Sequence, residues 1–385
     1  MLRYSSLFSQ LLGILDRKYF ARLVEEFETE KGAKGFTSWE HLVSMLFCQL
    51  AQARSLREIS GGLKCCEGKL RHLGVENAPV RSTISYANAH RSWELFEALF
   101  DHLLETCRGL APKKKFRFKN KLLSLDATVI DLCASMFDWA KFRQTKGAVK
   151  LHLLLDHDGY LPTYALITEG KIADVVIAQQ LVLPKGSVVV VDRGYTDYLM
   201  FERWCEEGVF FVTRLKANAS YAVIERRSVP VHGPILADEL IAFQVFHAGR
   251  QVVHTYRRVE VWLPEEKENL VLLTNHLEFG PTTIAAIYKE RWQIELFFKA
   301  LKQNLKIKTF VGTSANAVHI QIWTALISML LLKYLQFRST LAWSLSNLVA
   351  LLRWNLFTYR DLWKWINQPF ETPPEGPPDT QLDLF

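Results

Sequence analysis

Ser187-Val188-Val189-Val190-Val191-Asp192 joins an unbroken run of valines to an acid. Four successive valines do not alternate with polar residues, so they suit a strand buried on both faces rather than a half-solvated one. A strand of that kind sits centrally in an α/β sheet with helices packed on either side. Asp192 closes the run, which puts its carboxylate at the carboxyl end of the strand, where α/β sheets form ligand sites. Leaving that carboxylate buried and unpaired would be costly. It therefore needs a partner, and the competing explanations are a helix cap or an ion pair with Arg193.

Working outward, an α/β pattern surrounds this strand. Strands are predicted at 122–130, 149–155, 160–168 and 209–214, with a hairpin turn at Asp156-His157-Asp158-Gly159. Helices are predicted at 173–183 and 199–207. From 215 to 275 the alternation stops, and short strand-like runs occupy 242–246, 252–263 and 270–274. A long helix follows over 282–303, then two apolar helices near 315–337 and 340–355. The apolar stretch 315–335 contains His319, Gln321 and Lys333, so it reads as a buried core helix rather than a membrane span. The proline-containing tail, 369–385, reads as disordered.

Upstream of 122 the periodicity is helical. Phe8, Leu11, Leu12, Leu15 and Tyr19 recur on one face, as do Leu42, Met45, Leu46 and Leu50. Ser55-Leu56-Arg57-Glu58 has capping-box spacing, and Gly61-Gly62 stops the short helix it opens. A second helix over 80–91, beginning near Arg81, has short polar side chains on one face. Two readings stand equal here, a helix-turn-helix that contacts DNA and a plain helical bundle. A basic tract follows, in which Lys113, Lys114, Lys115, Arg117, Lys119 and Lys121 are interleaved with Phe116 and Phe118. Its place directly before the first strand favours phosphate contact over a merely solvated linker.

A chain of 385 residues implies two or three domains. Its 49% hydrophobic and 12% aromatic content exclude a disordered protein. The balance of 47 Lys and Arg against 40 Asp and Glu, +7 in all, permits a polyanionic partner without requiring one. Six cysteines are scattered without ligand spacing. Adjacent Cys65 and Cys66 are poorly placed to share an ion, so reduced thiols in a cytoplasmic protein are expected.

The chemistry gathers at three acids. Asp126 lies mid-strand in Leu123-Ser124-Leu125-Asp126-Ala127-Thr128, against β-propensity, and such violations concentrate at functional sites. Asp131 is its competitor, but alternation puts it on the opposite face. On the long helix, Tyr288, Arg291, Glu295 and Lys302 fall within roughly 60° of one another, with Lys299 beside them. One acid in a row of cations suits phosphate binding with the glutamate reserved for a metal. Asp126, Asp192 and Glu295 could together hold two Mg²⁺ ions, with Mn²⁺ able to substitute, to stabilise the attacking and leaving oxygens of a displacement at phosphorus. Tyr288, Arg291, Lys299, Lys302, Arg193, Arg81 and the lysines Lys113, Lys114 and Lys115 are the candidate DNA contacts.

These residues resemble those of the DDE transposases of the insertion-sequence-four family. The signature Tyr288, Arg291, Glu295, Lys302 fits without a gap, and Leu125-Asp126-Ala127-Thr128 and Val191-Asp192-Arg193-Gly194-Tyr195 match the other two motifs. The resemblance covers about 120–340. It implies a ribonuclease-H-like mixed sheet with flanking helices, interrupted by a β-rich insertion and preceded by an all-α N-terminal domain. The corresponding divisions are a helical DNA-binding domain at 1–108, a basic linker at 109–121, catalytic segments at 122–214 and 279–340, the insertion at 215–278, and C-terminal helices at 341–368. It also implies cut-and-paste transposition on double-stranded DNA, both terminal inverted repeats and target, by a homodimer at the nucleoid and away from any membrane. A related nuclease without strand transfer, or a DNA-binding protein with a degenerate site, are the alternatives. In some members a tryptophan before the Leu272-Leu273-Thr274-Asn275 strand receives a flipped base. Here Leu270-Val271 stands there, and Trp262 lies earlier, where core packing is the competing explanation.

Overall fold

The computed structural model describes residues 5–371, apart from 34, 67, 114–115, 117, 134–138, 140, 144–145 and 248–249. The lysines Lys114 and Lys115, and nearly all of the tail expected to be disordered, lie outside the described residues. The chain forms two compact units, one of residues 1–110 and 300–385 and the other of residues 111–299.

The first unit is helical. Its N-terminal part holds α1 (Leu7–Leu12), α2 (Arg17–Glu26), α3 (Ser38–Ala51), α4 (Leu56–Lys64), α5 (Arg81–His90) and α6 (Glu94–Leu110). Ser55 caps α4 by accepting from the Glu58 amide, as the capping-box spacing predicts, but the helix runs on through Gly61 and Gly62 rather than stopping there as expected.

The second unit is a mixed sheet flanked by helices. It begins with β1 (Leu122–Leu132), β2 (Lys141–Arg143), β3 (Lys146–Asp156) and β4 (Leu161–Glu169). Next come α7 (Asp174–Ala178), β5 (Val188–Val190), α8 (Tyr198–Glu206) and β6 (Phe210–Arg214). They are followed by β7 (Ala222–Arg226), β8 (Ile235–His247), β9 (Arg250–Leu263), β10 (Glu268–Thr274) and α9 (Pro281–Lys289). α10 (Trp292–Asn304) leads the chain back into the first unit, where α11 (Ala315–Arg338), α12 (Leu345–Asn355) and α13 (Leu362–Asn367) complete the bundle. α11 is long and apolar enough to cross a membrane, yet most of its apolar residues are buried inside the first unit, the core-helix arrangement expected.

In the sheet β1 lies between β3, to which it is antiparallel, and β5, to which it is parallel; β5 is also parallel to β6. Val188 to Val190 are fully buried, the two-sided burial that the valine run predicts. β10 then pairs antiparallel with β6 and continues through β9 and β8 to β7. The short strands of 215–275 thus prolong the same sheet. Burial follows the two faces. Leu123, Leu125, Val189 and Phe211 pack with Phe201 and Trp204 of α8. Leu122, Val188 and Val190 pack with Ile284, Ile287 and Tyr288 of α9.

Candidate active site

Alternation along β1 puts Leu122, Ser124 and Asp126 on the α9 face. In the parallel register Leu122 is opposite Val188 and Ser124 opposite Val190. Two places further on, alternation puts Asp126 and Asp192, which lies just past the end of β5, on that same face, and the Asp192 charge reaches Asp126. Asp192 caps the 3₁₀ turn Arg193–Tyr195, its Oδ1 accepting from the Gly194 amide at 2.8 Å, so the helix-cap role is present. Its carbonyl accepts from Thr213 Oγ1 at 3.1 Å. A Cβ on Gly194 would lie 3.0 Å from Asp192 Oδ1, a tight approach that glycine avoids.

The third acid arrives on a broken helix. The single helix expected over 282–303 is two, because the backbone tightens where α9 meets α10. The Arg291 amide donates to Tyr288 O at 3.0 Å, Gln293 to Glu290 O at 3.0 Å, and Ile294 to Arg291 O at 3.2 Å. These three-residue bonds make a short 3₁₀ step, which inside a helix often marks a hinge. Tyr288, Arg291 and Glu295 of the signature stay together across it. Arg291 Nη2 lies 2.6 Å from Glu295 Oε1, and the guanidinium carbon is 5.8 Å from the Tyr288 ring centre. Burial alone would lower the Arg291 pKa; Tyr288, Glu295 and Asp126 outweigh it and raise the group above its ordinary value.

Asp126 reports the convergence electrostatically. Burial, helped by the like charges of Asp192 and Glu295, pushes its carboxyl up to about 7, against the Ala127 amide at 2.8 Å and Arg291. Among the described residues no three His, Cys, Asp or Glu side chains already close on one point, and Glu295 is held by Arg291. The donors are nevertheless all hard carboxylate oxygens, and Asp126 is a half-buried acid crowded by like charge. That set fits a divalent cation such as Mg²⁺ or Mn²⁺ better than zinc.

Of the other candidates, Lys299 is exposed on α10, and Lys302, seven residues beyond Glu295, is half-buried in the first unit. Arg193 and Lys113 are exposed in the second unit and Arg81 at the start of α5 in the first. Asp131 is exposed on the other face of β1. Trp262, on β9 opposite Asn269, is 39% exposed, so it is not a fully packed core residue. Sequence reasoning missed three polar neighbours. Ser124 Oγ lies 2.7 Å from His157 Nε2, and His157 Nδ1 lies 3.6 Å from Glu290 Oε2. The available signal was Ser124 itself, a polar residue between two core leucines.

Residues 117–331 match the family model described as a transposase DDE domain, and residues 3–76 match a domain of unknown function, DUF4372. Chain y4zB of Sinorhizobium fredii, described as a transposase, is 31% identical over 66% of this chain and 71% of its own. A transposase described for insertion sequence element IS5377 of Geobacillus stearothermophilus is 27% identical over 66% and 67%. One described for element IS4SA of Synechocystis is 26% identical over 66% and 71%.

Proposed function

The chain belongs to the family of transposases with a DDE domain, enzymes that cleave and join DNA, and from that premise we propose that Asp126, Asp192 and Glu295 are its catalytic acids. One observation carries this reading. Asp192 and Glu295, far from Asp126 in sequence and like it inside the matched segment, both act electrostatically on the Asp126 carboxyl. The order β4-β3-β1-β5-β6, antiparallel on one side of β1 and parallel on the other, supports a ribonuclease-H-like core. The β-rich run of 215–278 is then an insertion that extends it.

Asp126, Asp192 and Glu295 would hold two divalent ions, Mg²⁺ or Mn²⁺, in this scheme. When bound, such ions stabilise the attacking and leaving oxygens of a displacement at phosphorus. The chain's own groups orient the DNA. Arg291, poised between Tyr288 and Glu295, presents a planar fork suited to a phosphate. Lys299, Lys302 and Arg193 set the backbone register, and Lys113, Lys114 and Lys115 add contacts upstream. Arg81 and its neighbours on α5 are assigned to the element ends. The N-terminal helices (1–108) serve as end-binding region, and a homodimer pairs two terminal inverted repeats before joining them to target DNA in the cytoplasm.

With Mg²⁺, the purified protein is expected to cleave DNA carrying its element's terminal repeats. Asp192→Asn should abolish cleavage and leave DNA binding by gel shift unchanged. Cleavage by that variant at the wild-type rate overturns the assignment.

A further inference from the structure

The row Ser124, His157, Glu290 has the order of a nucleophile, a base and an orienting acid. Ser124 and His157 are buried, however, at 0% and 2% exposure, so neither meets a substrate. What the row joins is more telling. Ser124 stands two residues before Asp126 on the same face of β1, and Glu290 stands at the 3₁₀ step, one residue before Arg291. A helix that changes hydrogen-bond register has weaker backbone restraint there than a continuous one. Glu290, at that point, brings a carboxylate oxygen to 3.6 Å from Nδ1 of the buried histidine.

We infer that His157 is a positioning residue: a buried bridge from β1 to the α9–α10 step that sets where Arg291 and Glu295 lie relative to Asp126. The inference rests on the metal reading proposed above. Groups bonded directly to a ligand commonly change metal affinity by about 10–100-fold when lost; this bridge acts on the ligands through β1 and the helix step. His157→Phe keeps the ring and removes both polar contacts. Ser124→Ala cuts one end of the bridge, and Glu290→Gln removes the charge at the other.

Mn²⁺ binding to the full chain without DNA, followed by electron paramagnetic resonance, tests this apart from turnover. His157→Phe is expected to weaken Mn²⁺ at least tenfold, with Glu290→Gln weakened as well. If His157→Phe does not fold, Ser124→Ala takes its place with the same expectation. Wild-type Mn²⁺ affinity in the folded bridge variant overturns the inference, and weakening in Glu290→Gln alone does too, since lost charge then explains it. Asp126→Asn keeps the two readings distinct. Wild-type Mn²⁺ affinity in that variant defeats the metal site itself, whereas loss there beside an unaffected bridge variant defeats only the role of His157.

Discussion

Arg257 ties β9 to the loop that leads into α9. Its Nε and Nη2 donate to the two carboxylate oxygens of Asp238 at 2.8 and 2.7 Å, and both residues are 2% exposed. Its Nη1 donates to the carbonyls of His276 and Leu277, in the loop that leads into α9. Replacing Asp238 with Asn leaves a buried guanidinium without its counter-charge. A loss of about 3–5 kcal/mol is expected, read from the urea midpoint; a change under ~1 kcal/mol would mean that the pair is not buried as described. Gly194 makes a finer test. Gly194→Ala puts a methyl against Asp192 Oδ1, so cleavage should fall at least tenfold while the melting temperature barely moves. Unchanged cleavage would show that Asp192 can shift without consequence. His41 gives a pH signature. It is fully buried, its Nε2 is 2.7 Å from Asn88 Oδ1, and burial, with Arg91 adding to it, pushes its pKa down to about 3. The unfolded chain takes up that proton near pH 6.5 and the folded chain only near 3. Stability from this group is therefore complete above 6.5 and declines as pH falls toward 3, by about 1.4 kcal/mol per unit. His41→Gln should flatten the acid limb of the stability curve; an equally steep limb would remove His41 as its source.

At the scale of elements, two helix starts in the first unit predict effects of opposite sign. α3 opens with a complete capping box. Thr37 Oγ1 accepts from the Glu40 amide at 3.1 Å, and Glu40 Oε2 accepts from the Thr37 amide at 2.7 Å. Thr37→Ala should lower stability by about 1 kcal/mol. α5 starts instead at Val80, 60% exposed, which makes no side-chain cap. Val80→Ser should raise stability by about 0.5–1 kcal/mol, and denaturant midpoints of the two variants moving the same way would contradict this account. These starts also show what could be read from sequence. The α4 cap and the β5 valines follow local rules, so their positions were legible. Asp126 and Asp192 stood out because an acid at the middle or end of an apolar strand breaks those rules. The step between α9 and α10 did not stand out. A shift to three-residue bonds over a few positions hardly disturbs a wheel drawn through Tyr288, Arg291 and Glu295. β7, exposed at every position, has no apolar pattern to find. The pairing of β10 with β6, which makes the insertion part of the main sheet, depends on contacts that no window of sequence contains. The same holds for the bridge through His157, whose three members come from a strand, a turn and a helix end.

For the whole molecule, the net charge of +7 says little by itself, and its distribution says more. Six of the cations fall in the nine residues 113–121, directly before the strand that carries Asp126. Lys121 is already engaged by the buried carboxylate of Asp156 at 2.8 Å, which anchors the end of the tract to the sheet. Lys113 and Lys119 are exposed, so their charges face solvent and are available to a polyanion. Each phosphate neutralised on duplex DNA releases counterions and adds about 0.9 to the slope of log affinity against log salt. If both lysines lie on the backbone, Lys113→Ala with Lys119→Ala should reduce that slope by about 2, most visibly below physiological salt. The loss should be the same on terminal-repeat and unrelated duplexes, because phosphate contacts carry no sequence. Lys121→Ala should behave differently, disturbing the Asp156 pairing and therefore stability as well as affinity. A double variant with an unaltered slope would place the DNA elsewhere on the molecule. A loss confined to terminal-repeat DNA would mean that the tract reads sequence rather than charge.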